Sequence, residues 1–84
     1  MAEVVIYSKD YCPYCTAAKG LLDEKGVEYK DIDVTNNEEA LNEMLSKSEG
    51  RTSVPEIFID GRLIGGFDDM KALEDSGDLD KLLG

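Results

Sequence analysis

Histidine and tryptophan are absent from this chain, cysteine and proline occur only twice each, and 9 basic residues face 19 acidic ones. Each shortage excludes something. Two cysteines cannot build the multi-bridge framework that small secreted domains rely on. Without histidine, the commonest partner of cysteine in a metal site is missing. A net charge of −10 excludes nucleic acid as a partner, because phosphates reward clustered Lys and Arg. It also disfavours anionic membrane surfaces. No apolar run approaches the roughly 20 residues needed to cross a bilayer. The opening Met-Ala-Glu-Val-Val-Ile-Tyr lacks the basic segment and long apolar run of a signal peptide. The expectation is a cytoplasmic protein, with no membrane association. The excess acid reads as carboxylates spread over solvated faces, favouring solubility. What remains is a chain of 84 residues, 42% hydrophobic, enough for one compact domain over 1–84 but near the lower size limit for a single core.

Both cysteines fall in one pentapeptide, Tyr11-Cys12-Pro13-Tyr14-Cys15. In a reducing compartment a Cys-x-x-Cys pair is catalytic or metal-binding more often than structural. Two intervening residues set the cysteines about one helical turn apart, inside the roughly 4.4–6.8 Å Cα window that a disulfide tolerates. The pair can therefore open and close without moving the backbone.

The rest of the chain alternates between strand and helix patterns. Val4-Val5-Ile6-Tyr7 reads as a buried strand and Ser8–Tyr11 as a loop. Pro13 suits the first turn of a helix, with Tyr14, Ala17, Ala18, Leu21 and Leu22 at helical spacing and Gly26 as its stop. Gly20 inside that helix costs about 1 kcal/mol against Ala, and close packing is the one reason the sequence offers for it. Val27 to Val34 reads as a second strand. Thr35-Asn36-Asn37-Glu38 has capping-box spacing ahead of Ala40, Leu41, Met44 and Leu45. After a loop at 48–53, Pro55 opens a third strand, Glu56–Ile59. Asp60-Gly61 before Arg62-Leu63-Ile64 is a hairpin signal. Gly65-Gly66 interrupts the chain, Asp68 is placed as an N-cap, Met70–Leu73 begin a helix, and Asp78–Leu83 add a last apolar turn or two. Ile57, Phe58, Leu73 and Leu82 are read as core. The order β-α-β-α-β-β-α predicts an α/β fold: a parallel first pair with a right-handed crossover, an antiparallel hairpin, and a four-stranded mixed sheet with helices on both faces.

On that frame the cysteines become unequal. Cys12 stands where a helix begins, facing free backbone N–H groups and the positive end of the dipole, which lowers a thiol pKa. Lys9 and Lys19 add favourable charge nearby. Cys15, a turn further in, is expected to be more apolar in its surroundings and to stay protonated. Cys12 is thus the expected nucleophile and Cys15 the thiol that resolves the mixed disulfide, the two forming a redox-active disulfide. Zinc is disfavoured, since two thiols fall short of four ligands. Covalent haem would need His after Cys15, where Thr16 stands. An iron–sulfur cluster would have to be shared between two chains with external thiols.

Three separated motifs, Cys-Pro-Tyr-Cys after the first strand, Ser53-Val54-Pro55 before the third and Gly65-Gly66-Phe67-Asp68-Asp69 after the fourth, resemble those of glutaredoxins of the small bacterial dithiol type. Trp-Cys-Gly-Pro-Cys, the thioredoxin signature, is absent. The resemblance implies a thioredoxin fold and glutathione-dependent reduction of protein disulfides and glutathionylated proteins, with glutathione as reductant and co-substrate, no metal, and a monomer. It places the nucleophile at Cys12 and the resolving thiol at Cys15. It implies a cis bond before Pro55, with Val54 pairing with the cysteinyl backbone of glutathione. The ligand's own chemistry fits: Lys9 and Arg51 suit the glycine carboxylate, Tyr14 the peptide, and the helix start at Gly66, Asp68 and Asp69 the γ-glutamyl end. Phe67 departs from the small or sulfur-containing residue expected there.

Overall fold

The computed structural model describes residues 2–84. Its elements are β1 (Val4–Ser8), α1 (Pro13–Glu24), β2 (Lys30–Asp33), α2 (Glu38–Lys47), β3 (Glu56–Ile59), β4 (Arg62–Gly65), α3 (Phe67–Ser76) and α4 (Asp78–Leu83). The sheet order is β2-β1-β3-β4. β1 runs parallel to β2 and antiparallel to β3, and β3 and β4 form an antiparallel hairpin. The expected four-stranded mixed sheet is therefore present.

Strand alternation divides the core. Side chains two apart on a strand share a face, so Val4, Ile6, Ile57 and Ile59 pack with Ala18 and Leu22 of α1, Met70 of α3 and Leu79 of α4. Tyr7 and Phe58 point the other way, onto Ala40 and Met44 of α2. Their rings meet edge-to-face at 5.7 Å, the geometry aromatic quadrupoles favour. Ile57 and Phe58 are core as read, while Leu73 and Leu82 are partly buried against it.

Several boundaries differ from the sequence reading, each for a local reason. β2 is shorter than Val27–Val34. The Val27 N–H donates to the Leu22 carbonyl and closes α1, so this residue belongs to the turn, although the Val34 N–H still reaches Ser8 O at 2.9 Å. The cap of α2 is Asn37, whose side chain accepts the Ala40 N–H at 3.0 Å. Thr35 instead accepts the Asp10 N–H at 2.8 Å, tying the loop before the cysteines to the end of β2. The cap of α3 is Gly66 and not Asp68; Asp69 reaches back to accept the Gly66 N–H at 3.0 Å. Gly77, at φ 84°, separates α4 from α3, so the chain ends in two helices where one was expected.

Asp60 (φ 52°) and Gly61 (φ 80°) both take left-handed backbone angles, as a two-residue hairpin turn of matching twist requires. Gly20 is exposed, and a Cβ added there meets nothing within 4 Å, so close packing does not account for it. Gly20→Ala should then stabilise the protein by up to about 1 kcal/mol through helix propensity alone, measured as a higher urea midpoint at unchanged m-value.

Candidate active site

β1 ends at Ser8, and the chain must turn sharply to feed α1. Tyr11 makes that turn with φ 56°, its side chain fully exposed. Positive φ is uncommon for a bulky residue, and the Asp10–Thr35 bond anchors the segment just before it. Cys12 follows as the N-cap of α1, in extended conformation (φ −110°, ψ 100°), with Pro13 next in the first turn. Its sulfur accepts the Cys15 N–H at 3.1 Å. A side-chain acceptor on an orphan N–H is what an N-cap supplies; here the acceptor is sulfur. No acidic residue lies in the first turn of α1, so the positive end of the dipole is not cancelled locally.

Cys12 and Cys15 are joined as a disulfide, with Cα atoms 5.1 Å apart. The two differ in access: Cys12 is half-buried, whereas Cys15 is 1% exposed. This is the asymmetry that the sequence reading assigned to an attacking and a resolving thiol.

Across from the cysteines lies the loop that enters β3. The Val54–Pro55 bond is cis, and the Val54 carbonyl is 3.9 Å from Cys12 Sγ. The Pro55 carbonyl lies 3.5 Å from where a Cβ on Gly66 would stand. Gly65 sits at φ 120°, and a side chain there would collide with the Asp69 carboxylate. Gly65 thus leaves room for the Asp69 carboxylate at the start of α3, while Gly66 lies in ordinary contact range of Pro55. Phe67, the unexpected residue, is half-buried and packs against Tyr14 with ring centroids 6.3 Å apart, joining the first turns of α1 and α3.

The structure thus gathers Cys12, Cys15, Tyr14, Val54, Pro55, Gly66, Asp68 and Asp69 around two helix starts. Lys9 is exposed on the loop three residues before Cys12 and makes no ion pair among the described residues. Lys19 is engaged elsewhere: it pairs at 2.7 Å with Asp31, which also accepts the Ser8 hydroxyl at 2.6 Å. Arg51 is turned toward the sheet, its Nε 3.5 Å from Oε2 of Glu56. Glu56 itself escaped the sequence reading. It is wholly buried, and neither carboxylate oxygen has a hydrogen-bond partner among the described residues. Burial pushes its pKa up, Arg51 opposes that, and Asp69 adds to it. The signal was available, since alternation sets Glu56 on the same inward face as Phe58.

A sequence model described as "Glutaredoxin" matches residues 4–64. Glutaredoxin 3 of Escherichia coli K12 is 51% identical over 83 residues, covering 99% of each chain. Glutaredoxin 1 of Rickettsia prowazekii is 48% identical over 81 residues, 95% of this chain and 85% of its own. Among solved structures, the glutaredoxin of Brucella melitensis superposes with a TM-score of 0.84 at 48% identity, covering 99% of this chain and 89% of its own. A buckwheat glutaredoxin–glutathione complex gives 0.85 at 33% identity, covering 98% and 76%. The fold is thioredoxin-like.

In the reduced protein, Cys12 is expected to be alkylated by iodoacetamide much faster than Cys15 at mildly acidic pH, because its thiolate is held by the helix start. Peptide mapping of partially labelled protein checks this; equal labelling, or preference for Cys15, contradicts it.

Proposed function

The chain belongs to the glutaredoxin family of thiol–disulfide oxidoreductases, and from that we propose that it uses glutathione to reduce protein disulfides and glutathionylated proteins in the cytoplasm, as a monomeric single domain over 1–84. The observation that carries this is the placement of a half-exposed, helix-capping Cys12 beside the Val54 carbonyl, with a buried Cys15 one turn away. That geometry offers a sulfur nucleophile next to the loop backbone at Val54, with which the backbone of a short peptide can pair. The ligand named in the buckwheat complex is such a peptide.

The reaction divides in two. With a glutathionylated protein, the Cys12 thiolate attacks the glutathione sulfur, the protein thiolate leaves, and Cys12 carries the glutathionyl group. A second glutathione thiolate then attacks that sulfur, giving glutathione disulfide and free Cys12. With a disulfide inside a protein, attack by Cys12 leaves the substrate tethered. Cys15, held a turn away at high effective concentration, displaces it and closes the Cys12–Cys15 disulfide. Two glutathione molecules reopen that bond.

Binding follows the same chemistry. Lys9 and Arg51 take the glycine carboxylate, Val54 pairs with the cysteinyl backbone, and Pro55 fixes the end of that segment. Tyr14 borders the peptide. The N–H groups of Asp68 and Asp69, in the first turn of α3 after Gly66, receive the γ-glutamyl carboxylate, with the Asp68 and Asp69 side chains near the ammonium. Because Asp69 already caps Gly66, Asp68 is the freer of the two carboxylates.

A coupled assay with glutathione, glutathione reductase and NADPH tests the reading. Cys15→Ser should retain substantial activity on a glutathionylated peptide, lose most activity on an intramolecular protein disulfide, and accumulate a mixed disulfide with the latter. Cys12→Ser should lose both. Activity in Cys12→Ser, or turnover only with thioredoxin reductase as the electron source, contradicts the proposal.

Lys9→Glu should raise the apparent KM for the glutathionylated peptide by about fivefold with kcat little changed, the size expected of one exposed charge contact. An unaltered KM in this variant removes Lys9 from the binding site.

A further inference from the structure

Glu56 has no part in the thiol chemistry, yet it stands directly after Pro55, under the segment proposed to bind glutathione. A buried ionised carboxylate is costly unless it is paired and hydrogen-bonded. Among the described residues, both oxygens of Glu56 lack a hydrogen bond, and its one cationic neighbour in ion-pair range is Arg51. The other ionisable groups around it are Asp69 from α3 and Tyr7, its cross-strand neighbour on β1. Arg51 has its backbone fixed independently, since its carbonyl accepts the hydroxyl of buried Ser48 at 3.2 Å. Its side chain remains 44% exposed. The guanidinium therefore lies between a buried carboxylate beneath it and solvent above it.

We propose that Glu56 regulates the affinity for glutathione by holding the Arg51 side chain against the sheet when ionised and releasing it to the glycine carboxylate when protonated. Glutathione is the carboxylate-bearing ligand here only on the reading proposed above. One guanidinium cannot serve an inward and an outward carboxylate equally well, because its donor fork lies in a single plane. The direction is then set. Burial favours the neutral acid, so acidification frees Arg51 while the carboxylates of glutathione stay ionised and its amine stays protonated.

The test uses S-methylglutathione, which keeps both carboxylates but cannot exchange thiols, bound to the full chain and followed by titration calorimetry at about pH 5 and about pH 7.5. Wild type should bind about fivefold more tightly at the lower pH, the scale of one exposed charge-assisted contact. Glu56→Gln, of the same shape, should bind at neutral pH as tightly as wild type does in acid and show no such pH dependence. Arg51→Ala should bind weakly at both. In the ligand-free protein, the Nε–H resonance of Arg51 should shift with the titration of the Glu56 carboxyl.

Folding provides a check independent of the ligand. Native Glu56 binds its proton more tightly than the unfolded chain does, so wild type loses stability as pH rises through that raised range. Glu56→Gln should therefore melt higher than wild type at neutral pH, with the difference vanishing in acid. The proposal is overturned if Glu56→Gln keeps the wild-type affinity and pH dependence, or if the Arg51 resonance ignores Glu56. If S-methylglutathione binds no variant at either pH while the resonance still follows Glu56, the glutathione reading fails, and the regulatory role with it.

Discussion

A sulfur atom at the start of α1 takes the place that a hydroxyl or carboxylate fills at ordinary helix caps, and the site depends on it. By accepting the Cys15 N–H at 3.1 Å, Cys12 satisfies a helix donor and meets the positive end of the dipole in one contact. A thiolate there is stabilised by the backbone without needing a neighbouring base. The same bond points the Cys15 backbone toward Cys12 and turns the Cys15 side chain into the protein, where it is buried. Accessibility and reactivity therefore separate between the two: Cys12, the cap, keeps part of its surface in solvent, while Cys15, inside the helix, is buried.

That cap demands an abrupt exit from β1. Tyr11 takes a left-handed conformation with no compensating contact from its own side chain, which is fully exposed. The surroundings hold it instead, through the Asp10–Thr35 bond and the extension of β1–β2 pairing at Val34. On the other side, β3 is central and buried along its whole length, so its entry point is fixed by the core. Pro55 arrives beside Cys12 and Gly66 because Ile57 and Ile59 are locked against α1 and α3 while Phe58 is locked against α2. A one-residue slip would exchange those faces and carry Val54 away from the sulfur.

Much of this was legible in residue pattern, and the misreadings are instructive. The Cys-x-x-Cys spacing, the strand alternation and the Asp-Gly turn are local signals, and each predicted what is found except at β2, which begins at Lys30 and not at Val27. Helix starts were harder because several residues compete for one cap. Thr35 and Asp68 had the right chemistry, but Asn37 and Gly66 hold the cap positions; Thr35 is drawn to Asp10, and Asp69 supplies the carboxylate at α3. Glu56 was missed for the opposite reason, although its alternation with Phe58 carried the signal. Its neighbours in sequence say buried strand, its own type says surface, and only the sheet decides that the strand wins.

Charge distribution completes the picture. Among the described residues, six of the nine basic side chains are ion-paired, leaving Lys9, Lys30 and Arg62 without a partner. Lys30 and Arg62 lie on β2 and β4, the two edges of the sheet, where an exposed charge discourages pairing with another chain. Lys9 has no edge to guard. With 19 acidic residues a partner would have been easy to provide, and an exposed pair would have added at most about 1 kcal/mol of stability. The fold gives up that small gain beside Cys12 alone among its loops, and so keeps one positive charge uncommitted on the approach to the sulfur. In a chain this acidic, an anionic ligand meets repulsion over most of the surface. The free lysine and the start of α1, which has no acid in its first turn, are the places where the local field runs the other way.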